Sequence, residues 1–177
     1  MAKVPGTSKF TSLFPAKAFL KMPRKLNLVF GLFLVWQLLW PWRHLAYPGE
    51  LFWHEQGFRF SWRVMLMEKA GNAQFTVHNL DTQEKFKVQN SNFLSPFQEK
   101  QMGFQPDFIL EYAHFLRDHY QDQLKATNLV IYTEAYVALN GRPSALFVDP
   151  KINLLQFKRG FNAKPWILPL NDTIYGL

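Results

Sequence analysis

Hydrophobic positions along the chain show three different patterns. Residues 26 to 40, LNLVFGLFLVWQLLW, are apolar almost without a break, with Asn27 and Gln37 the strongly polar exceptions. From 58 to 67 the chain alternates. Phe58, Phe60, Trp62, Val64 and Leu66 fall on one side, and Arg59, Ser61, Arg63, Met65 and Met67 on the other. Between 106 and 124, Phe108, Ile109, Tyr112, Phe115, Leu116 and Tyr120 recur at helical spacing. A continuous run suits a buried or membrane helix, alternation a half-buried strand, and a period near 3.6 an amphipathic helix.

These patterns predict a set of elements. Residues 26 to 42 read as a transmembrane helix, with Trp36, Trp40 and Trp42 forming an aromatic belt at its C-terminal end. Lys21, Arg24 and Lys25 can snorkel at the other end. A cleavable signal peptide and a buried core helix are the other readings of this run, although "RHLAYPGE" makes a poor cleavage site. Phe58 to Met67 predicts the first strand. Gly71-Asn72 predicts a turn, and residues 73 to 79 a returning strand. Lys85 to Gln89 predicts a short strand, and residues 90 to 104 an irregular linker. Pro106 to Leu124 predicts a helix, with Pro106 in its first turn. Leu129 to Leu139 and Ser144 to Asp149 predict a hairpin about Asn140-Gly141. The expected fold is α+β: one N-terminal transmembrane helix, then a β-rich, sandwich-like extracytoplasmic domain with one amphipathic helix. The expected divisions are a basic cytoplasmic segment (1–25), the membrane helix (26–42) and the extracytoplasmic domain (43–177).

Charge supports that order. The net charge is +7, but six lysines and arginines precede residue 26 with no Asp or Glu among them. Against 20 basic and 13 acidic residues in all, that leaves 14 basic and 13 acidic in the remainder. The basic excess is therefore a positive-inside flank, not a nucleic-acid face. It places the N-terminus in the cytoplasm and the rest in the periplasm or an equivalent outer compartment. The chain has no cysteine, which excludes disulfides, thiolate metal sites and a cysteine nucleophile.

Candidate chemistry gathers after the apolar run. Arg43 and His44 could bind a carboxylate or move a proton, or simply anchor an interface. Arg59, Ser61 and Arg63 share the polar side of the alternating stretch. Such a row can receive an acidic side chain through charge-assisted hydrogen bonds, or it is a solvated outer face. His44, His54, Glu50 and Glu55 fit no recognised zinc spacing, so no metal is expected.

Taken in order, "PWRHLAYPGELFWHEQGFRFSW", "YVALNGRPSALFVDP" and "KPWILPL" resemble the C-terminal part of the vitamin K-dependent γ-glutamyl carboxylase family. Its bacterial members carry an HTTM domain. The resemblance rests on Pro41, His44, Gly49, Trp53, Ser61 and Trp62, then Asp149-Pro150, Trp166 and Pro169. It implies the last membrane helix and lumenal domain of an enzyme that turns peptide glutamate into γ-carboxyglutamate. The implied cofactor is reduced vitamin K (the hydroquinone), with dioxygen and carbon dioxide and no metal. The implied substrate-binding set is Trp53, Phe58, Ser61 and Trp62, with Arg43, His44 and Arg63 beside it. The implied partners are a Glu-containing peptide or protein, membrane lipid and an upstream multi-helix half of the same enzyme. Three positions depart from the family: Phe58 stands for a tyrosine, Arg63 for an acidic residue and Met67 for a histidine. The family's catalytic lysine belongs to the upstream membrane domain, and no lysine lies within 26–42. The resemblance therefore implies a chain that holds substrate without its catalytic base, inactive alone. The alternative is a standalone membrane-anchored binding module.

Overall fold

The computed structural model describes residues 23–63 and 65–171. The expected basic segment lies outside these residues as far as residue 22. The chain divides into two compact units, Met1–Leu39 and Trp40–Leu177.

In the first unit, helix α1 spans Arg24–Leu39, and all of its residues are exposed. Its 16 residues rise about 24 Å at ~1.5 Å per residue, short of the ~30 Å hydrocarbon layer. Among the described residues no helix is long and apolar enough to cross a membrane. The expected transmembrane helix is thus not found. Its run stops early for a local reason. Pro41 disfavours α geometry in the residue before it, and Trp40–Ala46 winds as a tighter 3-10 segment.

The second unit is built on one sheet. A short helix α2 (Leu51–His54) precedes strands β1 (Lys69–Asn79) and β2 (Lys85–Lys87). Helices α3 (Pro96–Met102) and α4 (Pro106–Leu124) come next, then β3 (Leu129–Leu139) and β4 (Ala145–Leu146). The strand order is β2-β1-β3-β4, antiparallel throughout. The described residues thus form one four-stranded sheet with helices, not a sandwich.

Register explains the core. β1 and β3 pair without a bulge from Lys69↔Leu139 to Asn79↔Leu129. Because side chains alternate across a strand, Ala73, Phe75 and Val77 share a face with Ile131, Ala135, Val137 and Leu139. All seven are buried. The opposite row of β3 puts Glu134 and Tyr136 in solvent. Ile109, Leu110, Ala113 and Leu116 of α4 join the buried face, as do Trp53, Phe147 and Trp166. Phe75 meets Tyr112 edge-on at 5.0 Å between ring centroids.

Several expectations needed correction. The stretch 58–67 is not a strand. Its described residues form turns and bends, with positive φ at Phe60, Trp62 and Met65, as at Gly57 just before it. Gly71-Asn72 does not turn but lies inside β1. The linker 90–104 contains α3, started by a capping box of Ser95 and Gln98 with Pro96 at the first position. The buried stripe of α4 is rotated from the expected one, leaving Phe108 and Phe115 largely exposed. The limits of α4 and β3 agree with the sequence reading, and the Asn140-Gly141 turn has positive φ at both residues.

The end of α3 sits directly on the β1 backbone. A Cβ on Gly71 would lie 2.7 Å from the Tyr136 carbonyl oxygen, and one on Gly103 would lie 2.6 Å from the Gly71 oxygen. Gly71→Ala and Gly103→Ala should each lower stability by ~1–3 kcal/mol through overpacking. Urea denaturation of the full chain checks this, and an unchanged midpoint contradicts it.

Candidate functional site: a cationic cleft

Four chain segments meet around one cleft of about 210 Å³. The 3-10 segment supplies Arg43, and Tyr47 comes just after it. The turns after α2 supply Glu55, Gln56, Gly57 and Arg59. The loop 159–164 supplies Arg159, Phe161 and Lys164, and the first turn of α4 adds Asp107. Four cations thus face two carboxylates.

Local geometry brings these segments together. Glu55 caps α2 in the left-handed region, with φ 56°, and its N–H donates to the Leu51 carbonyl. The chain reverses there and passes Gly57 so close to the 3-10 segment that a Cβ would lie 2.7 Å from His44 Cα. Only glycine suits both the contact and its φ of 76°. The Tyr47 hydroxyl donates to the Phe161 carbonyl, and Trp40 meets the Phe161 ring edge-on. These contacts tie loop 159–164 to the 3-10 segment.

Charge inside the cleft is unevenly satisfied. Asp107 pairs with Lys164 Nζ at 3.1 Å and lies 3.8 Å from Arg59. Arg159 pairs with Glu111 at 3.1 Å. Arg43 differs. Its Cζ stacks 4.8 Å over the Trp40 ring, and its buried Nε and Nη1 have no hydrogen-bond partner among the described residues. Burial lowers its pKa from the ordinary value, yet a guanidinium keeps its charge at neutral pH. A buried donor without an acceptor is costly.

Beneath the cleft floor lies a buried ion pair. The Lys69 side chain is 0% exposed, and its Nζ reaches Glu55 Oε1 at 2.7 Å and the Trp53 carbonyl at 2.9 Å. The same Nζ sits 4.7 Å over the Phe147 ring. Burial is the leading cause at both ends, raising the Glu55 carboxyl and lowering the Lys69 ammonium. The partner's charge and hydrogen bond oppose each shift.

The expected site residues divide. Arg43 lines the cleft. His44 stands behind it, with Nδ1 2.9 Å from the Pro41 carbonyl and Nε2 3.4 Å from Arg63. With Nδ1–H donating to Pro41, Nε2 accepts from the guanidinium. Arg63 also stacks over Phe52 at 5.9 Å. Trp53 belongs to the core. It is 2% exposed, meets Phe147 edge-on at 4.9 Å and donates through Nε1 to the Leu168 carbonyl at 2.7 Å. Phe58 packs edge-on against Phe52. Ser61 closes a turn, its Oγ donating to the Phe58 carbonyl at 2.6 Å. Trp62 projects into solvent, 72% exposed. The shared polar row of Arg59, Ser61 and Arg63 does not form, because the strand that would have aligned it is absent. His44, His54, Glu50 and Glu55 do not converge either: no group of three or more that could hold a metal occurs among the described residues.

Asp107, Lys69, Arg159 and Lys164 were not among the expected site residues. Lys69 carried a signal, since it continues the Phe75, Ala73, Gly71 row into the core. So did "KRGFNAK", a compact basic loop. Asp107 carried only a helix-start signal.

A family model described as the lumenal domain of vitamin K-dependent gamma-carboxylase matches residues 23–173. The chain belongs to that family. No curated protein and no solved structure matches it.

The two tryptophans should separate in experiment. Trp53→Ala should cost ~3–5 kcal/mol of stability, whereas Trp62→Ala should stay within ~0.5 kcal/mol. Thermal and urea unfolding check the difference. Comparable losses would place Trp62 in the core.

Proposed function

We propose that this domain holds a peptide glutamate for γ-carboxylation, with the side-chain carboxylate in the cationic cleft. One observation carries the reading: Arg43, whose buried Nε and Nη1 have no partner among the described residues, lines a cleft together with Arg59 and Lys164. A guanidinium binds a carboxylate through two parallel hydrogen bonds. Family membership supplies the reaction class. It also supports an extracytoplasmic position for the domain.

The chemistry gives the cations a second role. Removing a γ-proton builds negative charge beside an existing carboxylate, so the two charges repel. Pairing the carboxylate with Arg43 and Arg59 withdraws charge from that end and lowers the cost of the carbanion. These residues thus bind the substrate and assist its ionisation.

Other parts of the reaction belong elsewhere in this reading. The family's cofactor, reduced vitamin K, supplies the strong base through reaction with dioxygen. The small, charged cleft does not suit that apolar molecule. The catalytic lysine and quinol site are assigned to a multi-helix partner region. The exposed Phe60, Trp62 and Met65 offer apolar surface toward that region or toward lipid.

Arg43→Ala should weaken binding of a Glu-containing peptide by tenfold or more, while a Gln-for-Glu peptide should bind poorly to the native chain. Titration calorimetry checks both. Equal affinity of the two peptides would overturn the carboxylate reading. Incubated alone with a Glu peptide and reduced vitamin K, the chain should form no epoxide. Epoxide formation would show that the base is present in this chain.

A further inference from the structure

We propose that Lys69 is the positioning residue of the cleft: from beneath the floor it neutralises and fixes Glu55, so that the cleft accepts an anion. The inference rests on the carboxylate reading of the cleft.

Lys69 looks misplaced for a lysine. In the β1–β3 register it falls on the core face, in one row with Ala73, Phe75 and Val77. An apolar residue there would avoid the desolvation of an ammonium group. A buried ion pair is a weak source of stability and is often replaceable by apolar residues at no loss. Stability therefore does not account for this pair, and its position offers another role. Glu55 Oε1 is bound to Lys69, and Glu55 lines the cleft. Without a counter-charge, that carboxylate would repel an incoming anion. It would also turn Arg43, Arg59 and Lys164 inward, away from a ligand.

Lys69 also fixes backbone. Its Nζ binds the Trp53 carbonyl at 2.9 Å, at the point where α2 ends and the chain reverses through Glu55. One ammonium thus joins the start of β1 to the segment that carries Glu55 and Gly57. The groups facing Glu55 are Lys69 from β1, Asp107 from α4 and Arg59 from its own turn. Arg43 and Lys164 line the same cleft. Burial and Asp107 raise the Glu55 carboxyl, while Lys69 and Arg59 lower it. The raising influences already prevail, and removal of Lys69 takes away the larger of the lowering ones. Glu55 then takes up a proton at a higher pH than in the native chain, and protonation removes its repulsion.

The test uses the full chain in detergent-free buffer and a Glu-containing peptide, with affinity measured between pH 5.5 and 8. Lys69→Met keeps the length of the side chain without its charge. It should weaken binding about tenfold or more at pH 8 and recover part of the loss toward pH 5.5. The Glu55→Gln/Lys69→Met double variant removes both charges and should bind within about threefold of the native chain at every pH. Arg43→Ala should stay weak throughout. Circular dichroism confirms folding, and the double variant keeps the test valid where Lys69→Met unfolds. A folded Lys69→Met that binds like the native chain overturns the role of Lys69 alone. So does a folded double variant that stays weak. A native chain that binds no Glu peptide overturns the cleft reading and this role together.

Discussion

The pairing of β1 with β3 governs both the core and the candidate site. Eleven residues of each strand pair without a bulge, so one register fixes which side chains are buried from end to end. A one-residue slip of either strand would move every side chain of that strand to the other face. Either Phe75 and Val77 or Ile131 and Val137 would then leave the core. The same register sends Lys69 into the interior at the edge of the core, under the turn after α2. The core and the charged floor of the cleft are thus products of one ladder.

The cleft is made by loops but held by the scaffold. Glu55 and Gly57 have positive φ, and Gly57 lies against the backbone of the 3-10 segment. Trp53, two residues before Glu55, is locked between Phe147 and the Leu168 carbonyl. Glu55 itself is tied to Lys69 at the start of β1. The segment that bears the site is therefore fixed to buried groups. Such support suits a site whose cations must keep their spacing when no ligand is present.

Parts of the fold were legible in the sequence, for physical reasons that can be named, while the expected membrane helix and sandwich were not found among the described residues. Helix α4 and strand β3 carry clean periodicity, with Pro106 and Asn140-Gly141 as punctuation that sets their limits. Helix α3 was missed: "SPFQ" contains the cap, the proline and the capping-box glutamine, but the window has too few apolar residues to show a stripe. Phe58 to Met67 misled because alternation records residue type and not the fate of backbone hydrogen bonds. Turns with left-handed residues at Phe60 and Trp62 also place aromatic side chains at every second position. The site was half legible. Arg43 stood out beside the tryptophan-rich run, and the motif order pointed to the right family. Asp107 and Lys164 could not be placed, because only the tertiary fold brings the start of α4 to a loop more than fifty residues away.

The walls of the cleft also have an order in time. Synthesis runs from the N-terminus, so Arg43 and Glu55 leave the ribosome more than a hundred residues before Lys164 and Leu168 do. Until the later segment emerges, the Trp53 indole lacks its acceptor and Asp107 lacks Lys164. The nascent domain can form its helices early, but the four walls of the cationic cleft meet only after Lys164 has emerged.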